Sequence, residues 1–424
     1  MSETALSAIA EINPSVCIPQ GITGSEDVSF IPMSDVSESG DWITQQRRSL
    51  RSVATGFTFF KDGDVLVAKI TPCLENGKGA HAIGLCNGIG FGSTEFHVLR
   101  AKPGIHPRFV FHITQSRRFR QAAERQMVGS AGQQRVQRQF FDEFLVRDFS
   151  SDEQVAITQI LDTLDTTIRE TGALIDKLKA VKQGLLYDLL TRGIDTNGEL
   201  RPAQSEAPQL YKESPLGWIP QEWEVQRLDA VAARGSGHTP SKSVPSYWNG
   251  GIKWVSLADS HRLDKIYIYE TDKEISELGI ANSSAVVHPE GTVILSRDAG
   301  VGKSAILGCD MAVSQHFIGW CCREKLNNLF LYFYLQREKP KFEAIAMGST
   351  IKTIGLPFFK SYEVVVPPRR EQDRVAAILM KTEQDLAAHA AELEKLSQQK
   401  IGLMDDILTG RIRVTPLLQG AATP

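Results

Sequence analysis

Apolar residues recur on alternating steps of three and four along two long stretches of the chain. In the first, Ile157, Leu161, Leu164, Ile168, Ile175, Leu178, Leu185 and Leu189 make the stripe, and Thr171 and Lys182 interrupt it. In the second, Val375, Leu379, Leu386, Leu393, Leu396, Leu403 and Ile407 make it, and His389 and Lys400 interrupt it. Such spacing puts one apolar seam on a helix, with polar residues on most other positions, and predicts two helices packed against each other as a coiled coil. Five heptads exceed an ordinary globular helix. At a rise of 1.5 Å per residue, each helix would span roughly 55–60 Å. The first must carry the chain away from one globular region and the second must return from another, so they should lie antiparallel with a globular domain at each end.

The two stretches are copies of one unit. Residues 153–191 align without a gap to 371–409 at a shift of 218, with thirteen of 39 positions identical, among them Glu153/Glu371, Gln154/Gln372 and Lys182/Lys400. The repeat reaches more faintly into the globular regions. "GDVLVAKITPCLENGKGA" (63–80) matches "GTVILSRDAGVGKSA" (291–305), and "GSAGQQ" (129–134) matches "GSTIKT" (348–353). In the first pair a β-branched run leads to a basic residue, then to a Gly-rich loop carrying a lysine, a pattern of strand, loop and strand. The expected fold class is α+β: two globular mixed α/β domains separated by two long antiparallel coiled-coil helices, with a pseudo-twofold internal repeat. The expected boundaries are 1–147 and 218–366 for the globular domains, 148–191 and 367–410 for the helices, 192–217 for a Pro/Gly-rich linker and 411–424 for a tail.

Candidate chemistry changes this picture little. Gly302-Lys303-Ser304 looks like the end of a phosphate-binding loop, but Arg297 stands where that loop needs its first glycine. "GIGFG" (88–92) lacks the spacing of a dinucleotide fingerprint. No metalloprotease, nucleophile-elbow or adenine-methyltransferase motif is present. The six cysteines form no C-x-x-C pair and read as reduced thiols, so no metal site is expected. The absence of an apolar run near 18 residues, together with an acidic start, "MSETALSAIAE", predicts a cytoplasmic protein. A net charge of −3 does not advertise nucleic-acid binding. Locally, however, ten basic residues between Arg100 and Arg147 face only three acidic ones, either a solvated helix face or a basic patch.

Two variable regions, each followed by a long helix that opens on "EQ" and closes on "LLT" or "ILTG", resemble the DNA-specificity subunit of type I restriction-modification systems. The residues that carry the likeness are Val364-Val365-Val366-Pro367-Pro368 through Glu371-Gln372, then Ala377-Ile378-Leu379 and Ile407-Leu408-Thr409-Gly410. Gly217-Trp218-Ile219-Pro220 with Trp223 and Leu228 is similar to the family's usual domain entry, and Trp218 and Trp223 read as core anchors. The first copy departs from the pattern in lacking both the diproline and that entry.

The resemblance implies a non-catalytic chain whose two target-recognition domains each read one half of a split, asymmetric site on double-stranded DNA. The helices would set the spacer and dock two methyltransferase subunits. Motor-nuclease restriction subunits would join them. Cofactors would be none in this chain, with S-adenosylmethionine, ATP and magnesium held by those partners. Lys69, Lys78, Arg297 and Lys303 are the first DNA-contact candidates, since basic loop side chains reach phosphates and guanine edges. Gln133, Gln134, Arg135, Ser349, Thr350 and Lys352 share a repeated position before each helix. Gln315 and His316 stand at a strand start. The alternative is a coiled-coil scaffold whose globular ends bind protein partners.

Overall fold

A computed structural model describes residues 2–130, 132–348 and 352–416. The chain divides into two units, one made of residues 1–173 with 390–424 and the other of residues 174–389. The cut therefore falls inside the long helices rather than at their ends. Each unit owns one globular region, half of one long helix and the opposite half of the other, because the ends of both helices pack into the globular cores.

The first unit holds two four-stranded sheets. One runs in the order Ala10–Ile12, Phe96–Ala101, Val65–Ala68, Gly79–His81, all antiparallel. The other runs Gln46–Ser49, Asp27–Ile31, Ile89–Gly92, Thr58–Lys61, and its middle pair is parallel. The second unit repeats the topology. Ala232–Ser236, Phe317–Cys322, Val293–Ser296 and Ser304–Leu307 form the first sheet, extended by Tyr267–Ile268. Lys273–Ile275, Trp248–Val255, Met311–Val313 and Val287–His288 form the second, again with a parallel middle pair. The runs expected as strands from their β-branched composition, Val65–Ala68 and Val293–Ser296, are buried along their whole length. The last four residues of "GIGFG" form the strand Ile89–Gly92, and Gly90 is there because a Cβ would sit 2.3 Å from the Phe60 ring.

Helices close each unit. In the first, α1 (Pro107–Gln115) and α2 (Arg117–Arg125) are separated at Ser116, whose hydroxyl accepts the Phe119 N–H as the cap of α2. The long helix α3 follows as Ser151–Thr191. In the second unit one helix, α4 (Asn328–Ile345), occupies the place of α1, and the long helix α5 is Arg369–Leu408.

Within each unit the long helices run antiparallel. In the first, Ile157 and Leu161 of α3 share a core with Met404, Ile407 and Leu408 of α5. In the second, Leu186, Leu189 and Leu190 of α3 share one with Val375 and Leu379 of α5. All the seam residues named from the sequence are buried or half-buried, with Ile157, Leu161, Ile175, Leu189, Val375, Leu379 and Ile407 fully buried. The two seam lysines are paired with acids of the facing helix: Lys400 with Asp165 in the first unit and Lys182 with Glu383 in the second. Asp165 and Glu383 are themselves 218 positions apart, so one ion pair is the repeat of the other.

Two expectations need correction. The stretch 192–217 is composed like a linker but is anchored. Ile194, Arg201, Ala207 and Tyr211 are buried, and Tyr211–Ser214 pairs with Gly217–Pro220 as a hairpin. Arg201 holds it through ion pairs to Glu222 and Glu371. Trp218 is not a core anchor. It lies opposite Glu213 on the outer face of that hairpin and is 52% exposed, while the alternate residue Ile219 turns inward and Trp223 is fully buried.

Candidate nucleic-acid interface

Three loop segments chosen from the sequence meet in each unit. In the first unit, Lys69 directly follows the buried strand Val65–Ala68. Its N–H donates to Glu95 O at 2.9 Å, and its carbonyl accepts from Val136 N–H at 2.9 Å. Thr71 N–H donates to Gln134 O at 3.0 Å. The backbone so joins the strand end, the 93–95 turn and the 128–136 loop. In the second unit the same bonds recur: Arg297 N–H donates to His316 O at 3.0 Å, and Ile354 N–H donates to Arg297 O at 2.8 Å. Isolated bridges pair Ile70 with Arg135 and Asp298 with Thr353. The structure therefore makes Arg135 the counterpart of Thr353, one residue away from the sequence alignment of "GSAGQQ" with "GSTIKT".

The side chains at these sites differ in how far the fold already uses them. Arg297 donates to the carbonyls of Gln315 and Ile354, both at 3.0 Å, and so holds the loops together. Lys303 donates to Ser260 O at 3.0 Å and Lys78 to Met33 O at 3.3 Å. The phosphate-loop lookalike is thus a turn whose lysine ties down a neighbouring turn and whose Ser304 opens a buried strand. Arg135 forks onto Glu95 at 3.0 and 2.9 Å, and that hydrogen bond holds the Glu95 carboxyl below its usual range. His316 shares a 2.8 Å contact with Asp298, while Gln315 accepts from Thr239. By contrast, Lys69, Gln133, Gln134 and Lys352 have no side-chain hydrogen bond among the described residues, and Gln133 and Lys352 are exposed. Ser349 and Thr350 lie outside the described residues.

Other basic residues enter only with the fold. In the second unit Lys242, Lys273 and Trp254 join Gln315 and His316 around a cleft of roughly 370 Å³. Trp254 anchors it by donating to His238 O at 3.0 Å. No local pattern marks Lys242 or Lys273, which belong to different strands and loops. In the first unit the basic run of residues 100–147 is dispersed by folding. Arg100 pairs with the buried Asp64, Arg108 with Asp162 and Arg135 with Glu95. Arg117, Arg118 and Arg125 line an open groove of roughly 580 Å³ together with Asp405 and Arg411.

His112, Asp162 and Asp165 place one potential ligand atom each within 4.8 Å. Arg108 reaches both carboxylates and Lys400 pairs with Asp165, so two cations already balance the two acids.

Residues 220–398 match the family model described as the type I restriction modification DNA specificity domain. The chain is 35% identical over 192 residues to the type I restriction enzyme EcoAI specificity subunit of Escherichia coli, a match covering 44% of this chain and 32% of that one. It is 29% identical over 172 residues to the MjaIX specificity subunit of Methanocaldococcus jannaschii, covering 40% of each. The matched segments thus span about a third to two-fifths of the length of these relatives. The fold extends the likeness over nearly the whole chain. A chain from a structure of type I R-M complex assembly and conformational transition has a TM-score of 0.58 at 18% identity, covering 96% of this chain and 97% of that one. The type I system S subunit from M. genitalium gives a TM-score of 0.55 at 13% identity and 96% coverage of both. The globular part of the first unit lies outside the matched residues and shares the sheet topology of the second.

Proposed function

We propose that the chain is a sequence-specific DNA-binding specificity subunit, non-catalytic, in which each unit reads one half of a bipartite site. The long helices set the spacer and dock two methyltransferase subunits. Those subunits and the restriction subunits bring S-adenosylmethionine, ATP and magnesium, and the complex works in the cytoplasm. One observation carries the reading: the same three-loop constellation is built twice, and in both copies it gathers basic and amide side chains at the ends of buried strands. Chains that read two different half-sites need one scaffold with two separately variable loop sets, and a repeat supplies that. Lys69, Gln133, Gln134 and Lys352 have side chains left over for phosphates and base edges. Arg135, Arg297, Lys303 and Lys78 shape the loops that present them.

Methylation mapping by long-read sequencing tests the reading directly. A host carrying this chain with its neighbouring methyltransferase gene should acquire a split motif that the methyltransferase alone does not produce. No new methylation from a soluble, associated pair of proteins would favour the scaffold alternative. Salt gives a second arm. Affinity for the mapped duplex should fall steeply with ionic strength, and Lys69→Ala and Lys352→Ala should each lower the slope by about one.

A further inference from the structure

Met347 is 82% exposed, the most exposed large apolar side chain among the described residues, and Val128 is 63% exposed. Single exposed apolar residues need no explanation. These two are different because they are the same position. Each directly precedes a left-handed glycine, Gly129 at φ +139° and Gly348 at φ +131°. Each is held by a reciprocal pair of backbone hydrogen bonds across its loop. Val128 and Arg135 exchange them at 3.0 and 2.9 Å, and Met347 and Thr353 at 3.1 and 2.8 Å. Arg135 and Thr353 in turn bridge to Ile70 and Asp298, next to Lys69 and Arg297. The fold thus fixes an apolar side chain in solvent twice, at the outer edge of the ladder that joins the basic strand end to the amide-bearing loop.

Nothing in folding requires this. Neither side chain belongs to a hydrophobic core, so a polar residue would cost little at either position, and the other copy would be free to differ. The surroundings name the occupant. Gln133 in one unit and Lys352 in the other lie on the same loops, Lys69 lies at the strand end hydrogen-bonded to the first of them, and all three suit phosphates and base edges, so that an apolar tip among such groups complements the apolar part of a base pair. In DNA that part is a thymine methyl group or the stacked face exposed at an opened base step.

We propose that Val128 and Met347 are the apolar base contacts of the two units, each laid against the bases of the half-site its own unit binds. The inference rests on the proposed DNA-reading function and deepens it.

The test uses the full chain with its methyltransferase subunits and a duplex carrying the split site found by methylation mapping. Affinity, permanganate reactivity of each thymine, and the effect of replacing each thymine by deoxyuracil are measured for the parent and for four variants. Met347→Ala should weaken binding about tenfold, and Val128→Ala somewhat less. Each should erase a thymine-methyl effect, or an unstacked thymine, in one half-site and leave the other half-site unchanged. Met347→Leu and Val128→Ile should restore both readouts. Loss of the methyl effect assigns the contact to a groove edge, and loss of unstacking assigns it to a base step. If both alanine variants bind and mark the duplex as the parent does, or if either alters the two half-sites equally, the contact is wrong although the function stands. If the parent complex does not bind the mapped duplex, the functional reading itself falls and takes this inference with it.

Discussion

The dipeptide that opens each long helix is the same, Glu153-Gln154 in α3 and Glu371-Gln372 in α5, yet its two residues fare differently. Gln154 accepts the N–H of His106, which caps α1, and donates to Phe149 O. Gln372 accepts the N–H of Asn327, which caps α4, and donates to Pro367 O and Lys325 O. Both glutamines staple the start of the long helix to the start of the domain's own helix. The glutamates part company. Glu371 is buried and receives Ile194 N–H, the Arg201 guanidinium and Trp223 Nε1–H. Glu153 lies near the surface and receives Ser150 N–H and the Thr415 hydroxyl. In each unit the glutamate catches the chain that follows the other long helix. A repeat therefore keeps the joint that every copy needs and lets the second contact follow whatever chain arrives there.

The largest effect should come from breaking that difference. Glu371→Ala leaves a buried arginine, an indole N–H and a backbone N–H without their acceptor, and should cost about 3–5 kcal/mol. Glu153→Ala, at a solvated helix start, should cost about 1 kcal/mol or less. Denaturant unfolding of the full chain gives both numbers, and proteolysis within 195–210 should accelerate only in Glu371→Ala. Equal costs would mean that the anchored connector contributes nothing. The glutamines should instead behave alike. Gln154→Ala and Gln372→Ala each orphan buried backbone groups and should each cost about 1–3 kcal/mol. A large disparity between them would break the parallel drawn here.

The long helices were legible because periodicity of three and four is a local property that survives without knowledge of the partner. The double occurrence was legible for the same reason, and the strands Val65–Ala68 and Val293–Ser296 showed in their β-branched runs. What the sequence hid was where long side chains go. Arg297, Lys303 and Arg135 read as free cations because a charge near glycine looks solvated, but each finds carbonyls or a carboxylate supplied from elsewhere in the fold. Composition misread the 192–217 stretch because one buried arginine, Arg201, fixes it through a residue 170 positions away. Met347 and Val128 passed unnoticed, since exposure depends on the tertiary edge they occupy.

Acid should separate the two units. His81 stands where the second unit has Ile306, since each lies opposite the first residue of the central strand, Val65 or Val293. Burial lowers His81 from 6.5 to about 4, and its Nε2 has no partner. Burial also lowers His97 and His112 in the first unit and His288 in the second. The folded state resists these protons while the unfolded chain accepts them. Stability held above pH 6.5 is therefore lost as pH falls toward about 4. Hydrogen exchange read unit by unit should show the first unit opening before the second over that window. His81→Ile should narrow the gap. Identical acid profiles for the two units would remove the histidine from the account.

The smallest effect concerns the seam, where the two units agree most closely. Lys400–Asp165 and Lys182–Glu383 put charge into an otherwise apolar stripe, with side chains 17% and 17% exposed in the first pair and 26% and 23% in the second. Partly solvated pairs of this kind contribute little net stability, about 0.5–1 kcal/mol. Their value lies in register: sliding one helix by a turn would bury each lysine against leucine without its acid, as a polar residue in a coiled-coil seam does. Lys182→Glu alone should therefore destabilise, and Lys182→Glu with Glu383→Lys should recover most of the loss. The same exchange at Asp165 and Lys400 should recover less of the loss, because Arg108 also faces Asp165 at 3.9 Å and would repel a lysine there. Coupling at only one of them, measured by a double-mutant cycle in each unit, would show that the seam is symmetric in sequence but not in energy.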